Sequence, residues 1–250
     1  MRILPGQIAF FLVLSLVPII SLVGFIASSF QIDIDYMVEV LSGSLPNEII
    51  DILIPALNNP GMLTGISMLI GFFIASNGTT SIIIASNVLF KIKERSYLKR
   101  KIKSVIMLTI LITLFLFMLL VFAFGDSIIG FILGLIFTKI PVIIVDILLI
   151  FKWTFGLFLT FFMIKMIFTI APDSPIPSKH MNKGAIFTTI AWILSTSLYS
   201  IYVVNFANYN LFYGSLSNIV VLMFWIYILS IALVIGIAIN SDDYLNEIGD

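Results

Sequence analysis

The sequence predicts an all-α membrane protein: a polytopic bundle of six transmembrane helices with both termini in the cytoplasm, and short amphipathic or interfacial helices on the outer side. Of the 250 residues, 60% are hydrophobic and 10% are charged, whereas about 25% of the residues of a soluble domain are charged. Apolar runs recur at lengths near the roughly 20 residues that a helix needs to cross a bilayer. Seven of the thirteen Lys and Arg residues lie between 91 and 103, with an apolar run on either side.

The predicted spans follow these apolar runs and form a single membrane domain over residues 1–250. Pro18, near the middle of the first span, removes a backbone donor and is expected to kink the helix. The spans cover 8–30, 62–90, 104–124, 142–170, 185–206 and 216–240, with loops 91–103 and 171–184 on the cytoplasmic side and segments 31–61, 125–141 and 207–215 on the outer side.

The distribution of Lys and Arg decides the orientation. Six crossings with both ends inside place ten of these residues in the cytoplasm and only Lys139 outside, while Lys152 and Lys165 fall within a span. Cations beside a span resist transfer across the bilayer, so the inverted orientation is disfavoured. The cations of the first loop are expected to contact anionic lipid headgroups: Lys91, Lys93, Arg95, Lys99, Arg100, Lys101 and Lys103.

The outer segments carry weaker signals. An acidic, amphipathic helix is predicted after the first span, lying on the membrane surface. Gly125 and Asp126 are predicted to end the third span, and the apolar run 128–137 is too short to cross, which favours an interfacial or re-entrant segment. Four tyrosines are predicted to form an aromatic belt at one interface: Tyr199, Tyr202, Tyr209 and Tyr213.

Polar side chains inside the predicted spans are the candidate functional residues. Asn77 and Asn87 are costly to bury, so each needs a partner or water. Lys152 lies about 16 Å into the fourth span, counted at 1.5 Å per residue from Pro141, where an ammonium must be paired or face water. Asp146 is six residues away and off the same helical face. A cavity-facing Lys152 and a structural ion pair with a neighbouring helix both remain open.

Several function classes find no support in the sequence. It contains no cysteine and no clustered acids, so no metal site, cofactor or catalytic residue is predicted. Its basic residues do not form a face directed at phosphates, so nucleic acid is not an expected partner. His180, the only histidine, is expected to be a solvated loop residue.

Several stretches carry a recognisable pattern: 6–11, 14–18, Asn87 with 91–95, the loop motif with Asn208, Tyr209, Tyr213 and Gly214, then 224–227 and Gly236. Together they resemble the YihY/BrkB family of bacterial inner-membrane proteins. The resemblance implies six membrane helices and cytoplasmic termini but no settled activity: some members were labelled ribonuclease BN, an assignment now regarded as mistaken, and others virulence factors. An acid that many members carry after the last-helix glycine is replaced here by Ile237 and Ala238, so no role of that acid is carried over.

Two functional hypotheses follow. The first is transport or lipid handling through an internal cavity in the bacterial inner membrane, lined by Asn77, Asn87, Lys152 and Tyr213. The second is a non-catalytic scaffold that recruits a protein partner or forms a homo-oligomer. An enzyme, including a nuclease, ranks last. Membrane lipids are the expected partners in either case.

Overall fold

The described part of the chain is built from helices. The computed structural model describes residues 5–15, 65–136, 142–206 and 216–249, and in these ranges it contains helices and no strand. This confirms the predicted all-α class. The helices are α1 (Pro5–Ser15), α2 (Gly65–Leu89), α3 (Tyr97–Ile136), α4 (Val142–Ile170), a 3₁₀ turn (Ser178–Met181), α5 (Asn182–Phe206) and α6 (Leu216–Ile248).

Within the described ranges, four stretches are long and apolar enough to cross a membrane by length and composition: Gly71–Leu89, Trp153–Ile170, Ser178–Tyr202 and Val220–Ile248. In the first of them 56% of the residues are buried inside the protein, but only 17% in the second. Helix α2 therefore lies inside the bundle and α4 at its edge. Trp153 on α4 is 72% exposed, and apolar surface of this kind suits contact with hydrocarbon rather than water. The number of crossings and their orientation remain predictions.

Helix α3 differs from its predicted bounds at both ends. It begins at Tyr97, inside the segment expected to be a loop, and continues without a break through Gly125 and Asp126 to Ile136. The predicted end at Gly125 is wrong because one glycine costs a helix only about 1 kcal/mol, and the run contains no proline. Apolar surroundings also favour the helix, which satisfies its own backbone hydrogen bonds.

Helix α6 also extends further than predicted. It includes Ser241, Asp242 and Asp243 and ends at Ile248, whereas the predicted span ended at residue 240. No glycine or proline interrupts this stretch before Gly249, and Ser241 contacts the end of α2, where its hydroxyl donates to the Leu89 carbonyl over 2.6 Å.

The predicted kink at Pro18, the outer segments 31–61 and the loop 207–215 lie outside the described residues. The same holds for Tyr209 and Tyr213 and for the side chains of Asp146 and Lys152, although the backbones of these last two belong to α4.

One apolar core joins the helices at the end where α2 and α6 terminate. Ile83 of α2, Met107 of α3 and Ile164 of α4 are fully buried in it, together with Ile8 of α1 and Ile237 of α6. The 3₁₀ turn and α5 contribute Met181 and Ala185 to the same core. Because every described helix supplies a residue to it, this core fixes the relative positions of the chain segments that connect them.

Helices α5 and α6 pack at very close range through two glycines. A Cβ atom on Gly184 would lie 2.0 Å from the carbonyl oxygen of Gly236 and 2.6 Å from Asn240. The Gly184 N–H, one of the first donors of α5 and thus without a partner in its own helix, donates to Oδ1 of Asn240 over 2.7 Å. Further along, the Trp192 indole donates to the Leu229 carbonyl over 2.9 Å. Small residues therefore bring the two backbones together, as in other membrane helix pairs.

Candidate functional site

A buried carboxylate organises the loops at one end of the bundle. Asp173 follows α4 directly, and its side chain is 1% exposed. Nδ2 of Asn87 donates to its Oδ2 over 2.7 Å, and the backbone N–H of Asp173 donates to Oδ1 of Asn87 over 2.8 Å. The Lys103 ammonium donates to Oδ1 of Asp173 over 2.9 Å. We call Asn87, Arg95, Lys103 and Asp173 the Asp173 cluster.

Arg95 and Lys103 complete the cluster by binding backbone carbonyls as well as the carboxylate. Nη2 of Arg95 donates to the Asp173 carbonyl over 2.7 Å. The Lys103 ammonium also donates to the carbonyls of Ala171 and Pro172, over 2.9 and 2.6 Å. These carbonyls follow the C-terminus of α4, where a cation is favoured by the helix dipole. The cluster thus ties the loop after α2 and the start of α3 to the end of α4.

The electrostatics of Asp173 favour its charged form. Burial by itself raises the pKa of the Asp173 carboxyl, but the hydrogen bonds from Lys103 and Asn87 and the Lys103 charge outweigh it, so the pKa lies below its usual value. A buried charge that is paired and fully hydrogen-bonded is tolerated in a protein interior. The Asp173 cluster therefore has the character of a structural tie.

Lys101, one helical turn after the start of α3, has different surroundings. It is 6% exposed; its ammonium donates to Oδ1 of Asn77 over 2.7 Å and to the Phe73 carbonyl over 3.1 Å. The ammonium also lies 3.8 Å from the centroid of the Phe73 ring, a distance at which the ring face attracts a cation. Among the described residues, no carboxylate lies within ion-pair distance of Lys101.

A third polar group joins the 3₁₀ turn to the end of α6. His180 is 3% exposed, with Nδ1 3.2 Å from an oxygen of Asp243 and Nε2 3.5 Å from one of Glu247. Lys183 pairs with Asp243, and Lys179 pairs with Glu247 over 2.5 Å. The prediction of a solvated His180 is wrong, because the extension of α6 places two acids over the ring.

The structure divides the cations of the first loop into two groups. Lys91, Lys93 and Lys99 are exposed, as contact with headgroups requires. Lys101 and Lys103 point inward, and their partners are buried carbonyl, amide and carboxylate oxygens. The prediction that these two residues contact headgroups at the membrane surface therefore does not hold.

The other two loop cations have protein partners. Arg100 pairs with Glu94 over 2.5 Å, with 15% of its side chain exposed, and Arg95 belongs to the Asp173 cluster while 53% of its side chain remains exposed. Both keep some contact with the surroundings, and headgroup binding by them stays a prediction.

Each predicted polar residue that the structure describes has found a partner. Asn87 is 0% exposed and both ends of its amide contact Asp173, so a cavity-facing role does not fit its position. Asn77 is half-buried and binds Lys101. The structure does not describe the Lys152 side chain or Tyr213, so their cavity roles stay predictions. The motif residues Asn208, Tyr209 and Gly214 also lie outside the described residues.

Two aromatic residues form an unexpected pair further along the bundle. Tyr199, predicted to belong to an interfacial belt, is 6% exposed and stacks on Trp225 with ring centroids 4.8 Å apart and ring planes 20° apart. Among the described residues, neither the Tyr199 hydroxyl nor the Trp225 indole N–H has a hydrogen-bond partner.

Sequence reasoning missed the roles of Asp173, Lys101 and Lys103. Asp173 is the single acid of the loop 171–177, and its neighbours are prolines and small residues. An acid held on rigid backbone beside the end of an apolar helix was an available signal for a structural role. For Lys101 the signal was absent, because the same segment contains six other Lys and Arg residues from which its sequence context does not distinguish it.

The described residues contain no group of three His, Asp or Glu side chains close enough to hold a metal ion. Their clustered charges are instead mixed pairs of acids and bases, which bind one another.

Comparison with known proteins gives relatives in bacteria. The chain is 27% identical over 242 residues to a protein of Bacillus subtilis strain 168 named "putative ribonuclease-like protein YfkH", covering 94% of this chain and 87% of the relative. It is 31% identical over 91 residues to a UPF0761 membrane protein of Haemophilus influenzae strain 86-028NP, covering 36% of this chain and 33% of the relative.

A UPF0761 membrane protein of Alteromonas mediterranea is 32% identical over 71 residues, covering 28% of this chain and 24% of the relative. No solved structure matches the chain. The family described as virulence factor BrkB matches residues 4–245, nearly the whole length. This agrees with an all-helical bundle that has several apolar helices, and the chain is accordingly a membrane protein that belongs to the virulence factor BrkB family.

Proposed function

We propose that this protein handles lipids in the bacterial inner membrane, and that Lys101 binds the anionic headgroup of a lipid which the bundle moves across the bilayer. The observation that carries the proposal is the Lys101 ammonium, buried between α2 and α3 with no carboxylate near it in the described part of the chain. An ammonium without a counterion is costly at membrane depth. A residue of this kind is more easily explained by a ligand than by packing.

The direction in which Lys101 extends supports the proposal. Helices α2 and α3 are antiparallel: the hydroxyl of Thr79 donates to the Ser104 carbonyl over 2.8 Å, and Ala75 packs in one cluster with Leu108. Lys101 precedes Ser104 and so lies nearer the basic loop, yet its ammonium reaches Asn77 and Phe73, which lie on the far side of Thr79. The side chain thus extends away from the basic loop, opposite to the usual direction of snorkelling.

The ammonium retains capacity for a ligand. A lysine has three N–H donors and no acceptor, and the structure assigns two of the three to Asn77 and Phe73. Asn77, which accepts one of these bonds, is itself only half-buried. One phosphate oxygen fits the remaining donor and supplies the missing negative charge.

The exposed cations at the same end of α3 fit the same ligand. Lys91, Lys93 and Lys99 are all exposed. Basic residues near a membrane surface attract anionic lipids, by about 1 kcal/mol each. They would raise the local concentration of anionic lipid next to the start of α3.

The test is lipid movement in proteoliposomes that contain fluorescent phosphatidylglycerol, with chemical quenching of the outer leaflet. Replacing Lys101→Met keeps the length of the side chain and removes the charge. We expect transbilayer movement to slow by about tenfold, because a hydrogen bond to a charged group contributes about 1.5–3 kcal/mol. Lys101→Arg should restore part of the rate. The matched control is Lys99→Met, which removes an exposed cation two residues away.

Movement at the wild-type rate in Lys101→Met would refute the role of Lys101, and the absence of movement by the wild-type protein would refute the function. We further propose that the protein is not a nuclease, despite the "ribonuclease-like" name of its Bacillus relative. RNA cleavage by the purified protein that persists through repeated purification would contradict this.

A further inference from the structure

We infer that Tyr199 and Trp225 form a binding subsite for the ester carbonyl of a glycerolipid acyl chain. The inference deepens the proposed lipid handling and rests on it for the choice of ligand class, but it uses no residue of the Lys101 site. Its starting point is a pair of stacked rings whose two buried donors, the Tyr199 hydroxyl and the Trp225 indole N–H, have no acceptor among the described residues.

The two side chains lie at the same depth. Tyr199 follows Gly184 by fifteen residues and Trp225 precedes Asn240 by fifteen, and Gly184 and Asn240 are joined by a hydrogen bond. At 1.5 Å per residue, both rings therefore lie about 22 Å from that bond along their helices. This depth falls within the roughly 30 Å hydrocarbon core, towards the edge remote from the Asp173 cluster.

Buried donors at such a depth are normally satisfied. Tyr O–H and Trp N–H groups usually find partners when buried, and a buried polar atom left alone costs about 1–3 kcal/mol. Trp192 on the neighbouring face of α5 follows this rule, since its indole donates to the Leu229 carbonyl. Trp225 lies only four residues before Leu229 on α6, but its indole N–H has no acceptor among the described residues.

The surroundings of Tyr199 and Trp225 indicate whether the ligand group is charged. Tyr199 is buried among apolar side chains: Ala9, Leu222 and Ile226, with Leu12, Val13 and Val221 packed against them. Among the described residues, no cation lies over the Tyr199 or Trp225 ring. Apolar surroundings favour an uncharged ligand group, because an unpaired charge is costly to bury.

The donors also distinguish a carbonyl from water. A water molecule here could accept from Tyr199 and Trp225, but its own two hydrogens would face apolar side chains, and a buried water needs two to four polar partners. A carbonyl oxygen accepts hydrogen bonds through two lone pairs and has no hydrogen of its own, so it can satisfy a donor here without needing a further polar partner. In a bilayer, the groups with this chemistry next to an apolar chain are the acyl esters of glycerolipids.

The experiment compares two lipids that differ only in this group. The full-length protein is reconstituted with equal amounts of dioleoylphosphatidylcholine and its ether-linked analogue, which lacks both carbonyls. It is then extracted in mild detergent, and the retained lipids are counted by mass spectrometry. The zwitterionic headgroup is the same in both lipids, so Lys101 does not bias the comparison.

The wild-type protein should retain the ester lipid over the ether lipid by about three- to tenfold, the effect of one or two neutral hydrogen bonds. Tyr199→Phe and Trp225→Phe each keep an aromatic ring, and each should reduce this preference by about threefold. Matched controls remove the same polar groups elsewhere: Tyr227→Phe, at a position that is 39% exposed, and Trp153→Phe, at one that is 72% exposed. Both should leave the preference unchanged.

Equal retention of the two lipids by the wild-type protein would overturn the inference, and this is also the result expected if only water occupies the site. A preference that survives in the Tyr199→Phe, Trp225→Phe double variant would overturn it as well. If Trp225→Phe does not fold, Tyr199→Phe decides alone. If the protein prefers the ester lipid but moves no lipid across the bilayer, the subsite stands and the proposed function is refuted. If lipid movement depends on Lys101 but the protein shows no ester preference, the proposed function stands and the subsite is refuted.

Discussion

Lys101 and Lys103 are two residues apart on the same helix, and the protein treats their charges in opposite ways. Lys103 binds a buried carboxylate and two carbonyl oxygens in the Asp173 cluster. Lys101 binds an amide oxygen, a carbonyl and the face of a ring, with no counterion among the described residues. The first arrangement neutralises a charge and ties segments together, whereas the second keeps a net positive charge inside the bundle. The comparison separates a cation that has a buried counterion from one for which we propose a ligand.

Removing the carboxylate should have the largest effect. We expect Asp173→Ala to lower the free energy of unfolding by about 3–5 kcal/mol, because it leaves the Lys103 ammonium buried without a counterion. The measurement is the thermal unfolding midpoint in detergent. Asp242→Ala, at an exposed position on α6, is the control. Equal midpoints for the two variants would show that the cluster does not stabilise the fold.

Disrupting the glycine contact between α5 and α6 should have the next largest effect on stability. Gly184→Ala places a Cβ 2.0 Å from the Gly236 carbonyl oxygen, which is backbone and cannot move aside without separating the helices. Overpacking of this kind costs about 1–3 kcal/mol. Gly78→Ala is the control, since its Cβ would lie 3.7 Å from Phe11 in ordinary contact. The prediction fails if both variants unfold at the wild-type temperature.

Acid should weaken the Asp173 cluster. The pKa of Asp173 is lowered in the folded protein, so its stabilisation is present above the unfolded value of about 3.9 and is lost as the pH falls through the folded value. The unfolding midpoints of wild type and Asp173→Asn should therefore differ at pH 7 and converge below about pH 4. A constant difference between the two over this range would contradict the assignment.

The smallest effect is expected at Lys101. Lys101→Met should change the free energy of unfolding by less than about 1 kcal/mol or increase it, because replacing a buried charge by a well-packed apolar group is often neutral or stabilising. Lys103→Met should lower it clearly, since Asp173 loses its ammonium. If Lys101→Met destabilises the protein as much as Lys103→Met does, Lys101 has a structural role and the distinction between the two lysines is refuted.

Much of the fold could be predicted because the relevant signal is local. Apolar runs of sufficient length predicted helices wherever the structure describes them. The bounds of α3 were missed because Gly125 and Asp126 look like a stop, while the cost of one glycine is small beside the gain from an apolar helix in hydrocarbon.

The candidate site was predictable only in part. Asn77 and Asn87 were correctly expected to need partners, since an amide in an apolar helix cannot remain alone. Their partners, Lys101 and Asp173, were not foreseen, because they lie 24 and 86 residues away in the chain. The prediction for His180 was wrong in the other direction. Its proline-rich loop suggested an exposed side chain, but the end of α6 packs against the ring.

The sequence by itself determined that the chain is helical and membrane-embedded and that most of its cations gather in one short segment, since hydropathy and charge act over neighbouring residues. Tertiary structure alone decided which of those cations is neutralised, which is not, and which aromatic donors lack an acceptor. The reason is physical: the free energy of a buried polar group depends on atoms within a few ångströms, and those atoms come from distant parts of the chain.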